Sequence, residues 1–205
     1  MTTSIPRKIT LTAPAMSVIA DEARASTDGT ETGGILLGTM EPDAIIVRHA
    51  GRPGPRAIRR PDFFQRDLQH ARSFADQAFA LDHSIWIGEW HTHLHASPRP
   101  STRDLVTYQT LLSDPELAFD YFVAIILADN TNDWHTPQLT AWIVAPTHVC
   151  AILTHRTPGG EAKEQMTITR SGGCDRTSEG DPRQASDDGF ARTLSEWTQL
   201  VPGQC

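Results

Sequence analysis

Over residues 8–154 the apolar positions follow two alternating rhythms, one of period two and one of period three to four. Residues 8–12, 33–40 and 44–49 carry the extended rhythm, with Glu41, Pro42 and Asp43 forming the turn between the last two. Residues 13–26 carry the helical rhythm, with Met16, Ile19, Ala20 and Ala23 facing inward. So do residues 61–81, where Pro61 opens the stretch and Phe64, Leu68, Ala71, Ala75 and Ala78 recur at three and four. Strands are predicted again over 85–93, 120–128, 139–145 and 149–154, the second so continuously apolar that both of its faces should be buried. Another helix opens near Asp104, after a Pro-rich turn. Strands interleaved with helices imply an α/β fold in which a largely buried sheet lies between helices.

Near residue 156 the rhythm stops. Seven of the 14 glycines fall in residues 156–205, where Met, Ile, Leu, Val, Phe and Trp together number only seven. Such a stretch buries too little apolar surface to offset its ordering entropy. The chain therefore reads as one domain over 1–155 and a mostly flexible, poorly ordered tail over 156–205. Within that tail Phe190, Leu194, Trp197 and Val201 share one face of a short helix expected over 188–201.

Composition narrows the function classes. A net charge of -7 over 205 residues argues against a general nucleic-acid backbone binder. The longest apolar run, Tyr121 to Ala128, is far short of the roughly 20 residues of a membrane-spanning helix. No secretory signal is readable in MTTSIPRKIT, so the cytoplasm is the expected compartment. Cys150, Cys174 and Cys205 form no C-x-x-C pair and read as free thiols without a catalytic role.

The specific chemistry is concentrated in E-W-H-T-H-L-H-A-S-P-R-P-S-T-R-D, residues 89–104. His91 and His93, two apart on a strand, project from the same face with alpha carbons about 6.6 Å apart, so both imidazoles can converge on one ion. A catalytic zinc site takes three protein ligands, and Asp104 at the start of the next helix is placed to supply the third, with Ser101 one turn earlier beside it. Ser-x-x-Asp is also a helix-capping pattern, and His-x-His alone is commonplace. Their joint occurrence at this spacing is expected in roughly one such chain per thousand. Glu89, on the same strand face, is a candidate general base, and His95 extends the series towards a three-histidine site, although Ala96 to Pro100 looks turn-like. No H-E-x-x-H helix is present, nor the H-x-E and P-C-x-x-C of zinc deaminases.

H91-T-H93, the seven-residue spacer Leu94 to Pro100 and S101-T-R-D104 resemble the metal motif of the JAMM metallopeptidases, also called JAB or MPN-plus domains. The resemblance spans about residues 8–150, and I-G-E-W-H-T-H is similar to the prokaryotic branch found in mobile elements and CBASS-type antiphage operons. Leu94 departs from the proline that many members carry there. The resemblance implies a mixed sheet between helices, a three-layer architecture related to cytidine deaminases. It also implies Zn2+ held by His91, His93 and Asp104, with Glu31 in E-T-G-G-I-L-L-G as general base in preference to Glu89, and Ser101 as donor to the oxyanion. The implied reaction is hydrolysis of the peptide or isopeptide bond after the C-terminal glycine of ubiquitin or a ubiquitin-like modifier, with companion E1/E2-like proteins as further partners. A metal-free interaction scaffold and a zinc exopeptidase are the alternatives. The segment G-R-P-G-P-R-A-I-R-R-P, residues 51–61, reads either as a solvated loop or as one whose Arg56, Arg59 and Arg60 grip an acidic partner.

Overall fold

The computed structural model describes residues 6–129, 138–146, 148–152, 165–169 and 191–192. In chain order the elements are β1 (Lys8–Thr12), α1 (Ala13–Ala25), β2 (Gly33–Met40), β3 (Ala44–Ala50), β4 (Ile58–Arg60), β5 (Phe63–Gln65), α2 (Leu68–Asp82), β6 (Ile85–Leu94), α3 (Thr102–Ser113), β7 (Phe122–Asp129), β8 (Gln138–Ala145), β9 (His148–Ile152), β10 (Gln165–Thr169) and β11 (Ala191–Arg192). Nine strands form one mixed sheet in the order β10-β1-β3-β2-β6-β7-β8-β9-β11, while β4 and β5 pair separately as a hairpin. β1 runs parallel to β3, and β6 parallel to β7.

Both faces of the sheet are covered. On one side α1 packs Ala15, Ile19 and Ala23 into a core with Ile9, Leu11, Ile45, Val47, Val123 and Ile125, two of the three helix positions being small enough for the helix to lie close to the strands. On the opposite face α2 sets Ala71 and Ala78 against Ile35 and Leu37, and α3 sets Leu105, Tyr108 and Leu112 against Phe122, Ala124, Ile126 and Trp142. Every residue of β7 is buried, its alternate side chains divided between the two faces, which is why its sequence is apolar almost without a break. The three-layer expectation therefore holds among the described residues. No described helix is long and apolar enough to cross a membrane.

A bulge in β6 decides which face carries the histidines. Leu36 pairs with Gly88 but Leu37 pairs with Trp86, so Ile87 is an extra residue in the ladder. Trp86 lies on the α2 and α3 side, Ile87 turns to the α1 side, and Gly88 pairs beside Val123 of that same α1-side core. From there the alternation is inverted: Trp90 joins the α1-side core, while Glu89, His91 and His93 align with Ala124, Ile126 and Ala128 on the face that α3 covers. An alanine at Gly88 would bring its Cβ to 1.9 Å from the Val123 carbonyl oxygen, so the strand passes here only without a side chain.

The helix expected over 61–81 is shorter. Residues 58–65 form the β4–β5 hairpin, Pro61 and Asp62 make its turn, and α2 starts at Leu68. Asp67 is the cap, its carboxylate accepting the Gln69 and His70 amides at 3.0 and 3.2 Å. Phe64 falls into the helical rhythm by coincidence, being four residues before Leu68. In the stretch 156–205 only β10, paired with β1, and the two residues of β11, paired with β9, are described. The remainder of that stretch, and with it the helix expected over 188–201, lies outside the described residues.

Candidate functional site

His91, His93 and Asp104 come together at the end of β6 and the first turn of α3. The two histidine Nε2 atoms are 3.0 Å apart, and Asp104 Oδ2 lies 3.6 Å from the first and 3.5 Å from the second. Three N and O ligands around a tetrahedral ion at ordinary zinc distances are separated by about 3.3 Å. This triangle matches that spacing, and two imidazole nitrogens with one carboxylate oxygen suit a borderline-soft divalent ion. The residues present thus fit a metal with three protein ligands, the number typical of catalytic sites.

Local structure aims these side chains at one another. His93 Nδ1 lies 3.1 Å from the Ser97 carbonyl oxygen; donating there leaves Nε2 as the lone-pair nitrogen on the ligand side. Trp142 Nε1 donates to the Pro98 carbonyl at 2.9 Å and ties down the same turn. Ser101 caps α3 in a reciprocal box: its Oγ accepts the Asp104 amide at 3.2 Å, and Asp104 Oδ2 accepts the Ser101 amide at 2.7 Å. Capping and convergence on the histidines are therefore properties of one carboxylate, not rival readings of it. Asp104 is partly buried, a circumstance that by itself would favour its neutral form, but the two histidines hold its carboxyl well below the usual range. Burial likewise opposes charging of His91, yet Asp104 outweighs it and its pKa is raised.

Glu31 enters from the other side of β6. Gly33 pairs with His91, and beyond that pair the Thr32 amide donates to Thr92 Oγ1 while the Thr92 amide donates to the Thr32 carbonyl, both at 2.9 Å. The next step of that register sets Glu31 beside His93. It is 8% exposed, and burial pushes its carboxyl from the ordinary 4.5 to about 7, against the opposing charge of His93. A carboxyl that takes up its proton more readily in the folded than in the unfolded chain makes the fold lose stability as pH rises from about 4.5 through about 7. In metal-free protein, Glu31→Gln is accordingly expected to be more stable than the unaltered chain at pH 8, by up to about 3 kcal/mol, with the gain vanishing near pH 4.5. Urea unfolding at the two pH values measures this; equal differences at both would remove the burial argument.

Glu89, on the same strand face as the histidines, is engaged elsewhere. Its carboxylate is buried against the Arg66 guanidinium, which also lies 5.4 Å from the centre of the Trp86 ring. Its other oxygen lies 3.9 Å from His91 Nδ1, behind the ligand face. The buried Tyr108 hydroxyl faces the same charge, and burial followed by Glu89 and Asp104 pushes its pKa well up. His95 sits past the end of β6 at φ 53, exposed and outside the cluster.

The arginines of residues 51–61 are not a free basic loop. Arg56 pairs with Asp67 at 3.2 Å and Arg59 bonds to the Glu31 segment, whereas Arg60 is exposed at the end of β4. The sequence alone does not disclose these two internal commitments or the Arg66–Glu89 pair, because each joins residues that no local pattern links.

A family model described as prokaryotic homologs of the JAB domain matches residues 12–143. A protein of Escherichia coli (strain TW11681) named CD-NTase/cGAS isopeptidase is 28% identical over 81 residues, covering 38% of this chain and 52% of that one. Proteins of the same name from Vibrio cholerae serotype O1 and Enterobacter hormaechei subsp. hoffmannii are 29% identical over 90 residues and 33% over 106, covering 42% and 47% of this chain and 58% and 54% of theirs. The chain thus spans about half the length of the curated relatives it matches. The solution structure of a Desulfitobacterium hafniense protein aligns with a TM-score of 0.48 at 23% identity, over 67% of this chain and 84% of that one.

Proposed function

Because the chain belongs to the prokaryotic JAB-domain family, we propose that it is a zinc-dependent isopeptidase that hydrolyses the bond after the C-terminal glycine of a ubiquitin-like modifier. The observation that carries this reading is the convergence of His91, His93 and Asp104 beside a buried glutamate, Glu31. The relatives' name supports a CD-NTase/cGAS conjugate as the target. The CBASS-type antiphage setting, the E1/E2-like partners and the cytoplasm belong to the same proposal through the sequence resemblance alone.

When bound, zinc supplies Lewis-acid polarisation of the scissile carbonyl and acidifies water towards neutrality. Glu31, buried beside His93, takes the proton from the attacking water and returns it to the departing amine. Ser101 Oγ accepts the Asp104 amide and keeps its own hydrogen to donate, so it can stabilise the developing oxyanion by about 2.7–4 kcal/mol. His93 and Asp104 are each fixed by a backbone partner, which orients the ligand atoms in advance of any ion.

The test is a substrate panel offered to zinc-loaded protein: a modifier fused through its C-terminal glycine, and linear peptides without one. Cleavage of the fusion, stopped by a chelator and restored by zinc, is the expected result. Cleavage of the linear peptides alone would favour an exopeptidase, and a zinc-loaded protein inert to both would leave the interaction-scaffold reading.

A further inference from the structure

The β4–β5 hairpin is tied to both halves of the site. On one side Arg103 of α3 donates to the Asp62 carbonyl at 3.4 Å and stands 5.1 Å from the centre of the Phe63 ring. On the other side the hairpin holds the backbone of Glu31 at both ends of the residue: the Glu31 amide donates to the Arg60 carbonyl at 2.8 Å, and Arg59 Nε donates to the Glu31 carbonyl at 3.1 Å. The same guanidinium donates to Ser26 Oγ and reaches Asp28 Oδ1 at 3.4 Å. Ser26 Oγ in turn donates to the Thr30 carbonyl at 2.9 Å, and Asp28 Oδ1 accepts the Thr30 amide at 3.1 Å. The turn leading to Glu31, which contains Gly29 at φ 69, is therefore gathered onto one side chain. Only arginine offers a planar fork of donors able to serve several acceptors together.

We infer that Arg59 is a positioning residue that sets the Glu31 carboxylate against the metal centre by fixing its backbone. The inference rests on the function proposed above. It separates Arg59 from Arg60, which contributes its carbonyl to the clamp.

Zinc-loaded Arg59→Met should keep its zinc and its KM while kcat falls about 10²-fold, the scale of a misplaced reacting group. Arg59→Lys, which retains one charged donor, should recover part of that loss. In metal-free protein the Glu31 and Thr30 amides should exchange their hydrogens at least about tenfold faster in Arg59→Met, while those of β7 are unchanged. In a Glu31→Gln background the Arg59 substitution should cost nothing further, because there is no base left to position. Unaltered kcat and unchanged exchange in Arg59→Met, or an equal loss of kcat in both backgrounds, would overturn the inference. An inactive Glu31→Gln beside a fully active Arg59→Met overturns this inference alone, whereas a fully active Glu31→Gln overturns the proposed mechanism and this inference with it.

Discussion

Asp104→Ala is expected to purify with less than about a tenth of the zinc of the unaltered chain, because one of the three side chains that converge among the described residues is gone. The same substitution removes half of the capping box, a loss of about 1 kcal/mol, so lowered metal content alone would confuse a missing ligand with a frayed helix. Asp104→Asn resolves the two. Its amide oxygen still accepts the Ser101 amide, so α3 should keep its cap, yet the neutral group is a poor partner for a divalent ion. Full zinc content in Asp104→Asn, measured beside its melting temperature, would show that the carboxylate is there for the helix and not for a metal.

Glu31→Gln is expected to keep zinc and to lose turnover by about 10²–10⁴-fold, the range for removing a positioned acid–base group. Gln preserves the size of the side chain and leaves the backbone bonds to Arg59 and Arg60 in place. The loss should therefore fall on kcat. Normal turnover with zinc bound would transfer the proton to another group, and Glu89 is a poor substitute because Arg66 already occupies its carboxylate.

What can be read from the chain, and what cannot, follows the range of the interactions. His91 and His93 share a face because the strand period is two, a property of three consecutive residues. Asp104 is within reach because its box with Ser101 is equally local. Glu31 is not: its place beside His93 depends on the pairing of Thr32 with Thr92, 60 residues apart, so only the family resemblance points to it. The start of α2 is obscured for a related reason, since Phe64 extends a helical rhythm along the chain while its strand pairing with Arg59 leaves no periodic trace. Asp67, a good cap directly before Leu68, is the local signal that marks the true start. Which side of the sheet receives the histidines is illegible, because nothing local marks Ile87 as the residue without a partner in β2.

That extra residue makes the length of β6 a functional quantity in its own right. Substituting Ile87 by another apolar side chain alters packing on one face, a matter of degree. Deleting it would shift the phase of everything downstream by half a period, turning Trp90 towards α3 and both imidazoles into the aliphatic layer beneath α1. Position 87 should therefore accept other apolar side chains but not the loss of a codon, and alignments of this strand should show apolar exchanges there and no gaps.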